Sequence, residues 1–246
     1  GKVALFCYMN QGSYWDNFNV SCTGREVDLK VFLEGPFNGT GMNTFLTSLP
    51  DFPLLQPYNK MPWNYTGTES VSVIPAGVVD WVLVELRDAV SAATATTATI
   101  IARQAGFLMS DGSIRSINGT SSPQFDYLNF QHSLFAVINH RNHLAVISAT
   151  GLTESGAVIS YDFTTAANQA YNNAQQEIGT GIWGMFAGDM NASGLIDSSD
   201  KSNFWNVAAG RKGYLNGDAD LNTQVENNDK NVYWLPNVGQ ISQVPD

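Results

Sequence analysis

From residue 1 to about 163, apolar residues come in short bursts separated by turn formers, the pattern of strands rather than helices. Leu29, Val31 and Leu33 alternate with Lys30, Phe32 and Glu34, which predicts a strand with one face in a core. Val78–Leu86 is apolar on both faces, which predicts a central strand. Val3–Met9, Glu69–Ile74, Ala98–Gln104, Phe107–Met109, Leu134–Asn139, Leu144–Ala149 and Ala157–Phe163 complete the set. Gly35-Pro36, Asn38-Gly39, Asp111-Gly112 and Asn118-Gly119 punctuate it, and Ser91–Ala98 reads as a loop of small residues. With no helical period between these bursts, the pattern predicts a mainly β unit over 1–165, organised as a β-sandwich. Residues 166–182, polar and rich in Asn, Gln and Ala, read as a linker or short helix. A second unit spans 183–246.

That second unit is an internal duplication. Gly188–Gly210 (GDMNASGLIDSSDKSNFWNVAAG) aligns without gaps on Gly217–Gly239 (GDADLNTQVENNDKNVYWLPNVG) at a period of 29. Gly188/Gly217, Asp189/Asp218, Asp200/Asp229, Lys201/Lys230, Trp205/Trp234 and Gly210/Gly239 are identical pairs. Counted from its first Asp, the first loop offers oxygen at positions 1, 3, 5, 9 and 12 from Asp189, Asn191, Ser193, Asp197 and Asp200. The second offers Asp218, Asp220, Asn222, Glu226 and Asp229, and position 7 (Leu195, Gln224) can give a backbone carbonyl. Six to eight oxygens converging on one point suit Ca²⁺, whereas Mg²⁺ keeps more water. Two Ca²⁺ ions are therefore expected. Gly194 permits the sharp turn, and Ile196 and Val225 are expected to pair the two loops. Each loop should run into a helix, with Ser198 and Asn227 as N-caps, Asp200 and Asp229 in the first turn, and Pro236 as a stop. Trp205 and Trp234 are expected to pack between the helices.

Composition sharpens this picture. Lys+Arg number 12 against 22 Asp+Glu, a net charge of −10 that excludes a broad nucleic-acid footprint. Only 14 % of residues are charged, and Asn, Ser, Thr and Gly supply the polarity, which suits an extracellular β protein. No apolar run is long enough for a membrane span, and no signal-like segment is present, so a secreted, cell-surface location carries the expectation of a leader removed earlier. Cys7 and Cys22 fit a disulfide closing a loop of about 15 residues, worth about 3 kcal/mol in the chain-entropy model. Their spacing fits no zinc site.

The duplicated loop-helix unit resembles a type I dockerin over about residues 183–240. The resemblance implies a calcium-binding EF-hand-like pair and a protein partner, a cohesin-like domain, met through loop positions 10 and 11: Ser198, Ser199, Asn227 and Asn228. Thr223 stands where the family has Gly, Ser193 where Asp is usual, and Phe204-Trp205 and Tyr233-Trp234 replace the usual leucines. The front part, from VDLKVFLEGPFNGTGMN through PWNYTGTES and VDWVLVELRD to HRNHLAVISA, resembles segments preceding dockerin-like ends in large secreted bacterial surface proteins. It implies an Ig-like or cohesin-like sandwich.

Other chemistry is sparse. Asn139-His140-Arg141-Asn142-His143 is the densest ionisable cluster of the front part and reads as structural. No nucleophile elbow, zinc-protease or phosphate-loop motif is present, and Glu34, Glu85 and Asp88 form no recognisable acid–base pair, so no enzyme is expected. Trp63 and Tyr65, with Tyr14 and Trp15, offer an aromatic platform for polysaccharide, against the default of burial. Asn-x-Ser/Thr triplets at Asn19, Asn38, Asn64, Asn118 and Asn191 match chance. The expectation is a non-enzymatic, calcium-stabilised structural or assembly subunit. It would associate with copies of itself, with Val3–Met9 completing a neighbour's sheet to build filaments. The alternatives are a docking module for a cohesin-like scaffold and a carbohydrate-binding adhesion module.

Overall fold

The computed structural model describes residues 24–126 and 128–246. Cys7, Cys22, Tyr14, Trp15, Asn19 and the Val3–Met9 strand lie outside the described residues. The chain is mainly β. Five antiparallel strands form one sheet in the order β4-β3-β2-β6-β7: β2 (Val78–Ala89), β3 (Ile100–Met109), β4 (Ile114–Arg115), β6 (Ser133–Asn139) and β7 (Val146–Ile147). A second sheet runs β5-β1-β9-β8, from β1 (Arg25–Lys30), β5 (Gln124–Phe125), β8 (Thr153–Ser155) and β9 (Val158–Asp162). A hairpin of β10 (Gln176–Gly179) and β11 (Ile182–Gly184) follows. Helices over 198–208 (α1) and 227–237 (α2) close the chain.

The apolar run at 78–86 is central, as its pattern requires: β2 pairs with β3 on one side and β6 on the other. Trp81 is fully buried, its ring 4.2 Å from that of Phe107. Other expectations needed correction. The alternation at 29–34 does not make a one-faced strand. β1 ends at Lys30, yet Val31, Phe32 and Leu33 are all buried: Val31 N–H donates to Gly112 O (2.9 Å) and Leu33 bridges to Met185. Glu69–Ile74 is irregular, held by a bridge from Leu55 to Ser70. The two strands expected at 98–109 are one, β3. β1 and β9 pair in parallel, so the second sheet departs from the purely antiparallel order of an Ig-like sandwich. Residues 166–182 are not a free linker: Ala170 is buried and bridges to Ser148, and β10 begins at Gln176.

The 183–246 unit packs directly on the first. Met185 and Leu221 belong to the same buried cluster as Val27 and Trp81. A polar knot reinforces the contact. Asp80, fully buried on β2, accepts at Oδ1 from Trp81 N–H (2.8 Å) and Tyr214 O–H (2.6 Å), and at Oδ2 from Arg141 Nε–H (2.9 Å). Gly35 N–H donates to His143 Nε2 (3.3 Å), which leaves the His143 proton on Nδ1, facing His140 Nδ1 at 3.1 Å. His140 then carries its own proton on Nε2, 3.2 Å from Asp80 Oδ2. Burial holds both imidazoles below the usual histidine range, hence neutral.

From this knot the chain reaches the second unit. Arg141 donates to Leu215 O (2.7 Å) and its guanidinium lies 4.3 Å from the Tyr214 ring centre. Asn142 donates to Asn216 O (3.1 Å) and Asp218 O (2.6 Å). Glu34 accepts from Ala187 N–H (2.9 Å) and the Asn237 amide (2.6 Å). Removing one partner of such a buried pair strands the other. Asp80→Ala should therefore cost about 3–5 kcal/mol. Tyr214→Phe, which deletes one hydrogen bond, should cost about 1–3 kcal/mol. Urea unfolding measures both, and equal small losses would mean that the knot does not hold the units together.

Candidate metal centre

The duplication is carried into three dimensions atom by atom. In the first loop Asp189 accepts from Ser193 N–H (2.9 Å) and Gly194 N–H (3.0 Å). In the second, Asp218 accepts from Asn222 N–H (3.0 Å) and Thr223 N–H (2.9 Å). Asp200 accepts from Asn191 N–H (3.1 Å) and Asp197 N–H (2.8 Å); Asp229 matches it with Asp220 N–H (3.1 Å) and Glu226 N–H (2.7 Å). Ala192 and Leu221 share φ of 54° and 57°, and Gly194 and Thr223 share φ of 82° and 86°. Thr223 thus keeps the left-handed turn that Gly194 makes freely, at the strain a β-branched residue bears there.

The halves also brace each other. Trp205 Nε1 donates to Glu226 O (2.7 Å) and Trp234 Nε1 to Asp197 O (2.9 Å). A Cβ on Gly188 would lie 3.1 Å from Trp234 Cα, and one on Gly217 3.3 Å from Trp205 Cα, so each invariant glycine of the repeat admits the opposite helix. Trp234 is buried with Ile196, Met190 and Phe186, and Trp205 packs at the margin. Ile196 and Val225 do not pair with each other. Ile196 exchanges bonds with Gly239 and Gln240, and Val225 with Gly210 and Arg211, so each loop is zipped to the exit of the other helix. Nor are Ser198 and Asn227 the caps. Asp197 caps α1, accepting from Ser199 N–H (2.7 Å), and Asn227 is already helical. Pro236 lies in the last turn of α2, which ends one residue later at Asn237.

The donor set suits a hard cation. Asp218, Asp220 and Asp229 place carboxylate oxygens within 4.8 Å of one another, all buried. Asn222 and Glu226 are tied to this group, the Asn222 amide donating to Asp220 (3.1 Å) and Glu226 (3.2 Å). In the first loop Asn191 stands where the second has Asp220, leaving Asp189 and Asp200 as its buried carboxylates. Ser193 Oγ donates to Leu195 O (3.2 Å), so the position-7 carbonyl faces the same loop. Gln224 holds the equivalent place, its N–H on Asn222 Oδ1 (3.0 Å). Each oxygen of Asp189, Asp200 and Asp218 accepts one amide and retains a lone pair for an ion, as does Asp229 Oδ2, while Asp229 Oδ1 accepts two, from Ala219 (2.7 Å) and Asp220 (3.1 Å).

Electrostatics point the same way. Burial, with Asp200 and Asp197 nearby, pushes Asp189 up to about 7. Burial also drives Asp218 to about 8, with Asp229 and Asp220 adding to the rise and Arg141 opposing it. Asp229 rises to about 7 through burial and Asp220. Carboxylates that resist ionisation in the chain alone are those a divalent cation would stabilise.

Of the partner positions, Ser198, Asn227 and Asn228 are exposed and Ser199 is half-buried; Ser199 bonds Asp197 and Asn191, and the Asn228 amide donates to Asp220 (2.7 Å). Tyr65 is buried, donating its hydroxyl to Glu69, whereas Trp63 is half-buried and packs edge-on against Tyr58. The roles of Asp80, Arg141 and Asn142 escaped the sequence reading. Their one signal was a charged residue inside the apolar run VVDWVLVEL.

Asp189→Ala and Asp218→Ala should each lower bound calcium by one ion per chain in isothermal titration. Unchanged stoichiometry in either would refute the ligand assignment. A second expectation concerns the chelated protein. Raised carboxyl values mean that the folded state holds protons the unfolded state has released. Their stabilising effect is complete below about pH 4 and is lost as pH rises to about 8. The buried imidazoles act oppositely, but only below their ordinary value of 6.5. In EDTA the melting temperature should therefore fall from pH 6.5 to 8.5, and calcium should abolish the fall. No family model, no curated protein and no solved structure matches the chain.

Proposed function

We propose that the protein is a non-enzymatic, calcium-stabilised extracellular structural subunit, in which two cations lock a dockerin-like pair onto a sandwich-like β unit. The supporting observation is the fastening of the second loop to the front part. Asn142 holds the carbonyl of Asp218, the residue that leads the acidic cluster, and Arg141 holds the preceding turn through Leu215. An ion ordering that loop would stiffen the whole molecule rather than a tethered appendage. Stiffness across units is what a load-bearing surface or matrix protein requires, and self-association would extend it.

A docking role for a separate cohesin-like partner is the second reading. It is favoured by the exposure of Ser198 and Asn227 together with Val232 and Leu235 on α2. Size-exclusion chromatography with light scattering, in calcium and in EDTA, separates the two. The structural reading expects large assemblies that collapse on chelation. A monomer in both buffers would overturn self-assembly and favour the outside partner.

A further inference from the structure

A cavity of about 690 Å³ opens between β2, β3 and the first acidic loop, within the roughly 300–1,000 Å³ of small-molecule pockets. Its polar wall is built from the sheet. Arg87, buried, gives Nε and Nη2 to Glu85 Oε2 (3.3 and 2.9 Å), and its Nη1 to Ala95 O (2.7 Å) and Pro245 O (2.6 Å). Four of its five N–H donors are engaged, two of them on Glu85, and so it aims that carboxylate. Glu85 is itself almost fully buried, and its second oxygen, Oε1, faces Arg103 at 4.0 Å. Among the described residues Arg103 donates one hydrogen bond, to Trp63 O (3.0 Å), and lies over the Tyr65 ring, so it keeps donors to spare. Asn139, also on the wall, has a buried side-chain NH₂ with no partner among the described residues. Trp63 lines the rim, half exposed, beside Pro62.

We propose that this cavity binds a neutral saccharide. The free groups are an acceptor (Glu85), donors (Arg103, Asn139) and an aromatic ring (Trp63), side by side. An anionic ligand would satisfy Arg103 but meet Glu85, Asp189 and Asp246 on the same walls. A cationic one would meet Arg87 and Arg103. An apolar one would leave the Asn139 amide and the Glu85 oxygen unpaired, at the cost of buried unsatisfied polar groups. Hydroxyl groups donate and accept at once, and a sugar ring also offers an apolar C–H face to indole. The cavity volume leaves room for more than one ring. The proposal does not depend on which ion, if any, the first loop holds, because the groups it uses lie on the sheet and beside Trp63.

The test is titration of the full chain, in calcium, with neutral hexasaccharides of gluco-, xylo-, manno-, galacto- and N-acetylglucosamine backbones, and with hexagalacturonate as the anionic arm. Tryptophan fluorescence and calorimetry read binding. At least one neutral oligomer should bind at sub-millimolar concentration. Trp63→Ala and Arg103→Lys should each weaken it tenfold or more, with urea midpoints confirming the fold. If Trp63→Ala does not fold, Arg103→Lys, which keeps the charge and loses the fork, decides. No binding across the panel at millimolar concentration, preference for hexagalacturonate, or binding that survives Arg103→Lys would each overturn the proposal.

Discussion

The structure turns on one carboxylate in the wrong place. Asp80 sits inside the most apolar strand, with no solvent access, and burial alone would drive its proton back on. Arg141, His140 and Tyr214 more than offset that cost and hold it down to about 2. Because Arg141 must face Asp80, its Nη1 is committed to Leu215 O, and Tyr214 is committed to the same carboxylate from the other side. A charge buried on β2 thereby dictates where the second unit docks. The buried apolar contact through Met185 and Leu221 gives adhesion, while the charge gives orientation.

The acidic loops pose the same physical problem without the same solution. The repeat carries one lysine per half, but Lys230 is spent elsewhere: its ammonium lies 4.4 Å from the Trp205 ring centre and bonds Asn227 (3.2 Å). Arg141 draws Asp218 down only in part, against burial and two neighbouring carboxylates. With Lys230 and Arg141 committed elsewhere, an external divalent ion is the natural counter-charge, and oxygen-only donors favour a hard one.

What the sequence disclosed follows from the range of each interaction. The period of 29 was legible because the loops are local: positions 1, 5, 6 and 12 bond within one loop, so residue spacing fixes geometry. β2 was legible because burial on both faces leaves no polar alternation. The parallel pairing of β1 with β9 was not, since its partners lie more than 120 positions apart and nothing in either strand names the other. His140, Arg141, Asn142 and His143 of the 139–143 cluster are buried, and what they hold depends on Asp80, Tyr214 and Asp218, which spacing cannot connect. Loop caps failed by one residue because Asp197 both ends the loop and starts the helix.

The crossing of the two halves has a further consequence for how the loops can order. Glu226 and Asp197 occupy equivalent places, and each has its carbonyl held by the tryptophan of the opposite helix. Ile196 and Val225, one residue earlier, are zipped to the opposite helix's exit. Neither loop can therefore take its final shape while the other helix is displaced. An ion entering one loop would fix the helix that follows it, and that helix carries the tryptophan donor that braces the other loop. The bracing that replaces direct loop-to-loop pairing makes the unit close as a whole, with the front part attached to it through Asn142 and Glu34.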